Sequence, residues 1–310
     1  MIKRNELLEN QFKSWFEKVD YDNCDVWDKG LILNALKQLA KATDDDFYKE
    51  FLVKLADKEV SAIDCGCCKE STYKDQFDTA YFMVGSALYF TAKVTGSGKY
   101  AEAAKNIAKN LDDYSYEMDN ICESYCSQPF YMEYETLDGG KERYNDIIAR
   151  YNSMRENKYE DYAKNLDDSE NAVQTAYYTA SLIDTMEVTE QPVYEIFRRM
   201  QDLFRESVKE LIKAEVYDVK NSDDDSDIIA SLLLSYCILK GCRMKALHTE
   251  KYESIALSAL KNQTGDAKLQ KVADIADTEC FAALCIAYAE SLKNREYQDY
   301  GRGKGGALWS

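Results

Sequence analysis

Carboxylates crowd the points where the apolar segments of this chain begin. Asp25 and Asp28 stand before the first segment, Asp75 and Asp78 before the second, and Asp119 and Glu123 before the third. Asp167, Asp168 and Glu170 open the fourth, Asp223, Asp224, Asp225 and Asp227 the fifth, and Asp277 and Glu279 the sixth. Two carboxylates in different surroundings can divide acid and base roles, the one with the raised pKa protonating a glycosidic or enol-ether oxygen. The competing role is structural. Asp and Glu cap helix starts and oppose the positive end of the helix dipole, each contributing about 0.3–1 kcal/mol. Most of these acids are expected to cap, and one or two facing inward would suffice for chemistry.

Other reactive types are less organised. Cys65, Cys67 and Cys68 sit in one loop, with Cys24 or Cys122 as possible partners for zinc, but the paired spacing of zinc modules is missing, so free thiols are expected and no metal. Cys237, Cys242, Cys280 and Cys285 fall in apolar runs, where cysteine acts as small core filler. Gly96-Ser97-Gly98-Lys99 lacks the glycine spacing and preceding strand of a phosphate loop and reads as a hairpin turn. The single histidine, His248, opens a polar helix and reads as a surface or cap residue.

Net charge narrows the partners. At −17 the chain is a poor match for phosphate backbones or anionic membranes, since both are held by Lys and Arg. Residues 1–19 lack an apolar signal core, and no apolar run reaches about 18 residues. A cytoplasmic protein with reduced thiols, no nucleic-acid partner and no membrane partner is therefore expected.

The elements that must position the acids are helices. With 13 Gly and 2 Pro in 310 residues the chain has few breakers. Periodicity of about 3.6 residues marks apolar helices near 27–42, 76–95, 121–136, 170–187, 226–244 and 276–293. A short polar turn and an amphipathic helix opening on Tyr48, Tyr100, Tyr144, Tyr194 or Tyr252 follow each of the first five. These tyrosines recur roughly every fifty residues, the mark of a repeated helical hairpin. Six apolar helices satisfy one another as an inner ring sheathed by six outer ones, the sixth being the N-terminal helix at about Lys3 to Lys18. An open solenoid is the alternative, but it needs a polar end cap, and the run from Cys280 to Leu292 is as apolar as the middle ones. The expectation is an all-α (α/α)6 toroid in one domain, 1–293, followed by a C-terminal extension, 294–310.

Four segments carry a family resemblance. VWDKGLILNALKQLAKAT (26–43), GSALYFTAKVTGSGKYAEAA (85–104), ESYCSQPFYMEYETLDGGKERYNDIIARY (123–151) and YCILKGCRMKALHTEKYESIA (236–256) are similar to hairpins of the six-hairpin glycosidases of glycoside hydrolase families 105 and 88, the unsaturated rhamnogalacturonyl and glucuronyl hydrolases. The resemblance implies a general acid and base six residues before a Pro-Phe pair, which is Glu123 here where the family has Asp. It implies a second carboxylate at Tyr81, and the nearest one is Asp78, one helical turn earlier. The family's Arg-x-x-Gly-Trp motif is replaced by ENAVQTAYYTAS, with Val173 near the Arg and Tyr177 near the Trp. Its His- and Trp-bearing loop is absent between Arg155 and Ser169.

Uronate chemistry is accordingly disfavoured, because an acidic mouth without a placed Arg repels a carboxylate. The expected function is a divergent glycoside hydrolase acting on a small, neutral or cationic oligosaccharide by two-carboxylate acid and base chemistry without a cofactor, with Glu123 and Asp78 catalytic. Trp27, Phe77, Tyr81, Tyr125 and Tyr177 would form an aromatic platform for sugar. The alternative is a catalytically inactive relative that binds a sugar or a protein partner.

Overall fold

The computed structural model describes residues 4–64, 78–111, 121–190, 194–219, 224–265 and 277–293, with the side chains of Asp64 and Tyr194 excepted. Phe77, the Cys65/Cys67/Cys68 loop and the 294–310 extension lie outside the described residues. The described chain is all-helical. Its elements are α1 (Glu6–Lys18), α2 (Val26–Ala42), α3 (Asp46–Asp64), α4 (Tyr81–Thr95), α5 (Gly98–Ala108), α6 (Glu123–Tyr134), α7 (Tyr144–Met154), α8 (Glu160–Ala163), α9 (Ser169–Val188), α10 (Tyr194–Lys213), α11 (Asp225–Arg243), α12 (Thr249–Thr264) and α13 (Thr278–Leu292). No described helix is long and apolar enough to cross a membrane.

Local chemistry sets the helix starts. The carboxylates of Asp25, Asp168, Asp224 and Asp277 accept backbone N–H bonds of 2.7–3.1 Å from Asp28, Asn171, Ser226 and Cys280, so four inner helices open on an Asp cap. Asp78 fills a related role one turn ahead of α4, accepting from the Ala80 N–H at 2.9 Å. That turn delays α4 to Tyr81, five residues after the start expected from periodicity. The α4 helix stops at Gly96, whose φ of 70° places it in the left-handed region that glycine enters without a Cβ clash.

Packing follows the two kinds of helix. The apolar helices α2, α4, α6, α9, α11 and α13 pack in that order, and α13 packs in turn against α2, so the series closes on itself. An open stack would leave α2 and α13 at opposite ends. The cyclic order is compatible with a toroid of six hairpins. Each of α3, α5, α7, α10 and α12 packs on the inner helix it follows. The N-terminal α1 packs on α13, through Trp15 stacked on Phe281 at 3.8 Å and Phe12 edge-on to Tyr288 at 5.6 Å. Fully burying an aromatic side chain of this kind contributes about 1.5–3 kcal/mol.

The recurring tyrosines are plugs beneath the hairpin turns. Tyr48, Tyr100, Tyr144 and Tyr252 are all buried. Tyr100 donates to Asp57 at 2.7 Å, and the Tyr144 hydroxyl lies 2.6 Å from that of Thr136. Between α7 and α9 the chain adds a wide helical turn, Arg155–Tyr159, and the short α8. There the Arg155 guanidinium lies 4.0 Å from the Tyr159 ring and pairs with Glu210 at 3.2 Å.

Candidate functional site

A cavity of about 230 Å³ opens where the starts of the inner helices meet. Trp27 of α2, Cys122 at the cap of α6, Glu170, Val173, Gln174 and Tyr177 of α9, Ser226 and Ile229 of α11, and Glu279 of α13 line it. Five of the six inner helices thus contribute first-turn or near-first-turn residues. This end of the helix cycle is the mouth.

Aromatic rings floor the cavity. Trp27 meets Tyr177 edge-on with ring centres 5.5 Å apart, and Tyr177 leans on Tyr125 at 5.0 Å. Below them the buried Asn34 amide donates to the Tyr125 hydroxyl at 2.7 Å. Polar groups form the walls. Gln174 accepts from the Cys122 N–H at 3.2 Å and donates to Glu170 at 3.1 Å, so its amide orientation is fixed at both ends.

The two cavity carboxylates live in different surroundings. Glu170 is exposed at the rim, whereas Glu279 is partly buried, with Tyr177 and Trp27 close enough to favour its charged form. Burial pushes the Glu279 carboxyl above its ordinary range, against the opposing pull of Tyr177, and the nearby Asp277 and Glu170 add to the rise. Burial likewise raises Asp28, with Asp25 adding to it, and lifts the Cys122 thiol to about 12. Cys122 is therefore a neutral wall residue at physiological pH.

The other expected site residues are placed apart from this lining. Glu123 is the partly buried first residue of α6, and Asp78 is exposed ahead of α4; neither lines the cavity. Both lie near the buried Cys126, whose thiol is raised by burial first and then by Cys122, Asp78 and Glu123. Tyr81 is the partly buried opening residue of α4, and Tyr125 sits under Tyr177. Trp27 and Tyr177 line the cavity.

Sequence reasoning passed over Glu170 and Glu279 as the distinctive pair, although a signal existed. In Asp168-Ser-Glu170 and Asp277-Thr-Glu279 the Asp caps the helix and the Glu follows at the same offset of two. One residue of each pair is spent on the backbone, and the other is left for the cavity.

Charge is handled differently at the opposite ends of the inner helices. Lys240 donates to Asp184 at 2.7 Å and pairs with Glu187 at 2.8 Å, while Tyr236 donates to Asp184 at 2.6 Å. Arg243 pairs with Glu187 at 2.7 Å and closely with Glu290, and Lys293 bridges Glu290 at 3.2 Å and the Gln38 carbonyl at 2.7 Å. Burial acts to raise Glu187, but Lys240, Lys41, Arg243 and Lys293 outweigh it and hold the carboxyl well below the usual range. Nearby, Lys37 donates to Ser86 at 3.0 Å and Ser86 to Glu133 at 2.6 Å. Burial, with Lys41 adding to it, pushes the Lys37 ammonium down to about 8.

No group of three or more His, Cys, Asp or Glu side chains among the described residues is arranged to hold a metal ion. The seven described cysteines are free thiols. No protein-family model matches the chain, and no curated protein matches it.

Proposed function

We propose that this protein is a divergent carbohydrate hydrolase that takes one small sugar unit at the mouth of the helix cycle, with Glu279 as proton donor and Glu170 as its base. The observation that carries the reading is the pairing of a raised, partly buried carboxyl with an exposed one around a single aromatic-floored cavity. Glu123 and Asp78, the pair drawn from the family resemblance, lie outside that lining, which favours Glu279. The cavity volume is below the roughly 300–1,000 Å³ of drug-sized sites, which suits one ring better than a long oligosaccharide.

The reaction asks two proton transfers of these residues. The Glu279 carboxyl gives its proton to the glycosidic oxygen as the C–O bond breaks. Glu170 takes a proton from the water that adds to the anomeric carbon. Apolar sugar faces stack on Trp27 and Tyr177, and Gln174 and Ser226 supply hydrogen bonds to hydroxyls.

Turnover of a panel of chromogenic aryl glycosides tests this. Glu279→Gln is expected to lower turnover of the accepted glycoside by about 10²–10⁴-fold. In the intact protein activity should fall as pH rises through the raised Glu279 pKa, because the acid must be protonated. Stabilisation by sugars without turnover of any glycoside would instead identify a binding-only relative. Unchanged turnover in Glu279→Gln with loss in Glu123→Gln would return the acid to Glu123.

A further inference from the structure

Away from the cavity, three adjacent inner helices bring an amine, a hydroxyl and a carboxylate into line. Lys37 of α2 donates to the Ser86 hydroxyl of α4 at 3.0 Å, and Ser86 donates to the Glu133 carboxylate of α6 at 2.6 Å. The direction of the chain is fixed, because a carboxylate only accepts. It is a relay that draws protons from the nitrogen toward Glu133.

Lys240 and Lys293 in the same charged layer meet carboxylates directly, at 2.7–3.2 Å. Lys37 reaches Glu133 only through the hydroxyl. Burial, reinforced by Lys41 of its own helix and by Lys240 of α11, brings its ammonium down to about 8 against the opposing pull of Glu133 and Asp184. Roughly a tenth of such an amine is neutral at about pH 7, against under a thousandth for a lysine near the ordinary 10.4. Lys37 and Glu133 are both partly exposed, so the nitrogen is open to solvent. A neutral, accessible amine is the nucleophile that carbonyl compounds react with.

We propose that Lys37 is a covalent site for a small aldehyde or ketone, with Ser86 and Glu133 taking up the amine proton as the bond forms. The Nζ lone pair bonds to the carbonyl carbon, and the C=O π pair moves onto oxygen. One Nζ proton passes to Ser86 as Ser86 gives its own to Glu133, and a proton returned from the relay to the oxygen completes the carbinolamine. Its hydroxyl then leaves with the last N–H proton as water, and the nitrogen lone pair closes the C=N bond of the imine. This site stands independently of the carbohydrate reading.

The full-length protein treated with propanal and cyanoborohydride tests it, because hydride reduction fixes each imine as an alkylamine that mass spectrometry locates by residue. At about pH 7.5 Lys37 is expected to be alkylated at least about tenfold faster than the exposed Lys93. That ratio should narrow above about pH 8, where Lys37 is already largely neutral and Lys93 still gains reactivity. At about pH 9, with the Lys37 amine neutral, Ser86→Ala and Glu133→Gln should each slow its alkylation severalfold while Lys93 is unchanged. Alkylation of Lys37 no faster than Lys93, or a ratio constant from about pH 7 to 10, would overturn the proposal and leave the chain a hydroxyl-bridged ion pair. Fast alkylation that neither variant slows would keep Lys37 as the site and overturn the relay.

Discussion

Lys240 on α11 holds its ammonium 2.7 Å from the Asp184 carboxylate on α9, with the Tyr236 hydroxyl 3.0 Å away. Lys240 is 1% exposed, so both charges have left most of their water. Burial acts to lower its pKa, but Asp184, Glu187 and Glu290 outweigh it and keep the amine charged. Removing one partner of such a group strands the others. Lys240→Met is expected to destabilise the fold by about 3–5 kcal/mol in urea denaturation, and Asp184→Asn/Lys240→Met by well under the sum of the two single changes. A loss below about 1 kcal/mol for Lys240→Met would contradict this packing.

The same cluster sets an acid limit. Glu187 and Glu290 have folded-state pKa values below their ordinary ones, so the folded chain releases their protons more readily than the unfolded chain. The stability they contribute is complete above the unfolded value near about 4.3 and is lost as pH falls through the lower folded values. Thermal melts should show this loss on the acid side, and Glu187→Gln should flatten it.

Glu279 has the opposite sign. Its folded-state pKa is raised, so between the ordinary and raised values the folded chain binds more protons and stability falls as pH increases. Glu279→Gln cannot ionise. The variant is expected to melt above the unaltered protein near neutral pH and level with it near about pH 4, below the raised value and close to the unfolded one. A variant that melts lower at neutral pH would mark Glu279 as a structural acceptor for Tyr177 and Trp27.

Close approach between α4 and α6 gives a steric test. A Cβ built on Gly85 falls 2.4 Å from the Phe130 ring, itself stacked on Phe82, so the ring has little room to yield. Gly85→Ala should cost about 1–3 kcal/mol despite a helix-propensity gain of about 1 kcal/mol. Gly98→Ala is the control, because nothing lies within 4 Å of its added methyl. It should be neutral or stabilising by up to about 1 kcal/mol. Equal stability of the two variants would refute the α4–α6 contact.

The architecture was legible because apolar runs and tyrosine-headed amphipathic runs alternate with a near-constant period, and one pattern of burial satisfies all of them. The start of α4 was not, since Asp78 forms a turn with Ala80 before the helix, and periodicity carries no trace of it. Trp27 could be picked as a mouth residue from aromatic type near a helix start, whereas Tyr177, in the third turn of α9, was marked by its place near the Trp of the family motif. Choosing among fifteen entry acids could not be done by type alone, because capping and cavity-facing carboxylates differ by the direction of a side chain. The buried ion cluster was missed although its spacing was visible: Asp184 and Glu187, Lys240 and Arg243, and Glu290 and Lys293 each stand three apart in the last turns of apolar helices. A charged pair three apart in an otherwise greasy helix end is a readable sign of an internal ionic layer.

The docking of α1 against α13 has a temporal consequence. The Asn5 N–H donates to the Tyr288 hydroxyl at 2.9 Å across 283 residues of chain, and Tyr288 donates onward to Glu9 at 2.8 Å. During synthesis α1 emerges long before α13 and waits for its seat until α13 has left the ribosome. Until then the aromatic face of α1 and the flank of α2 that receives α13 are both uncovered. Closure is thus a late event of high contact order, and the nascent chain is most exposed to mispairing or capture by chaperones just before α13 is complete.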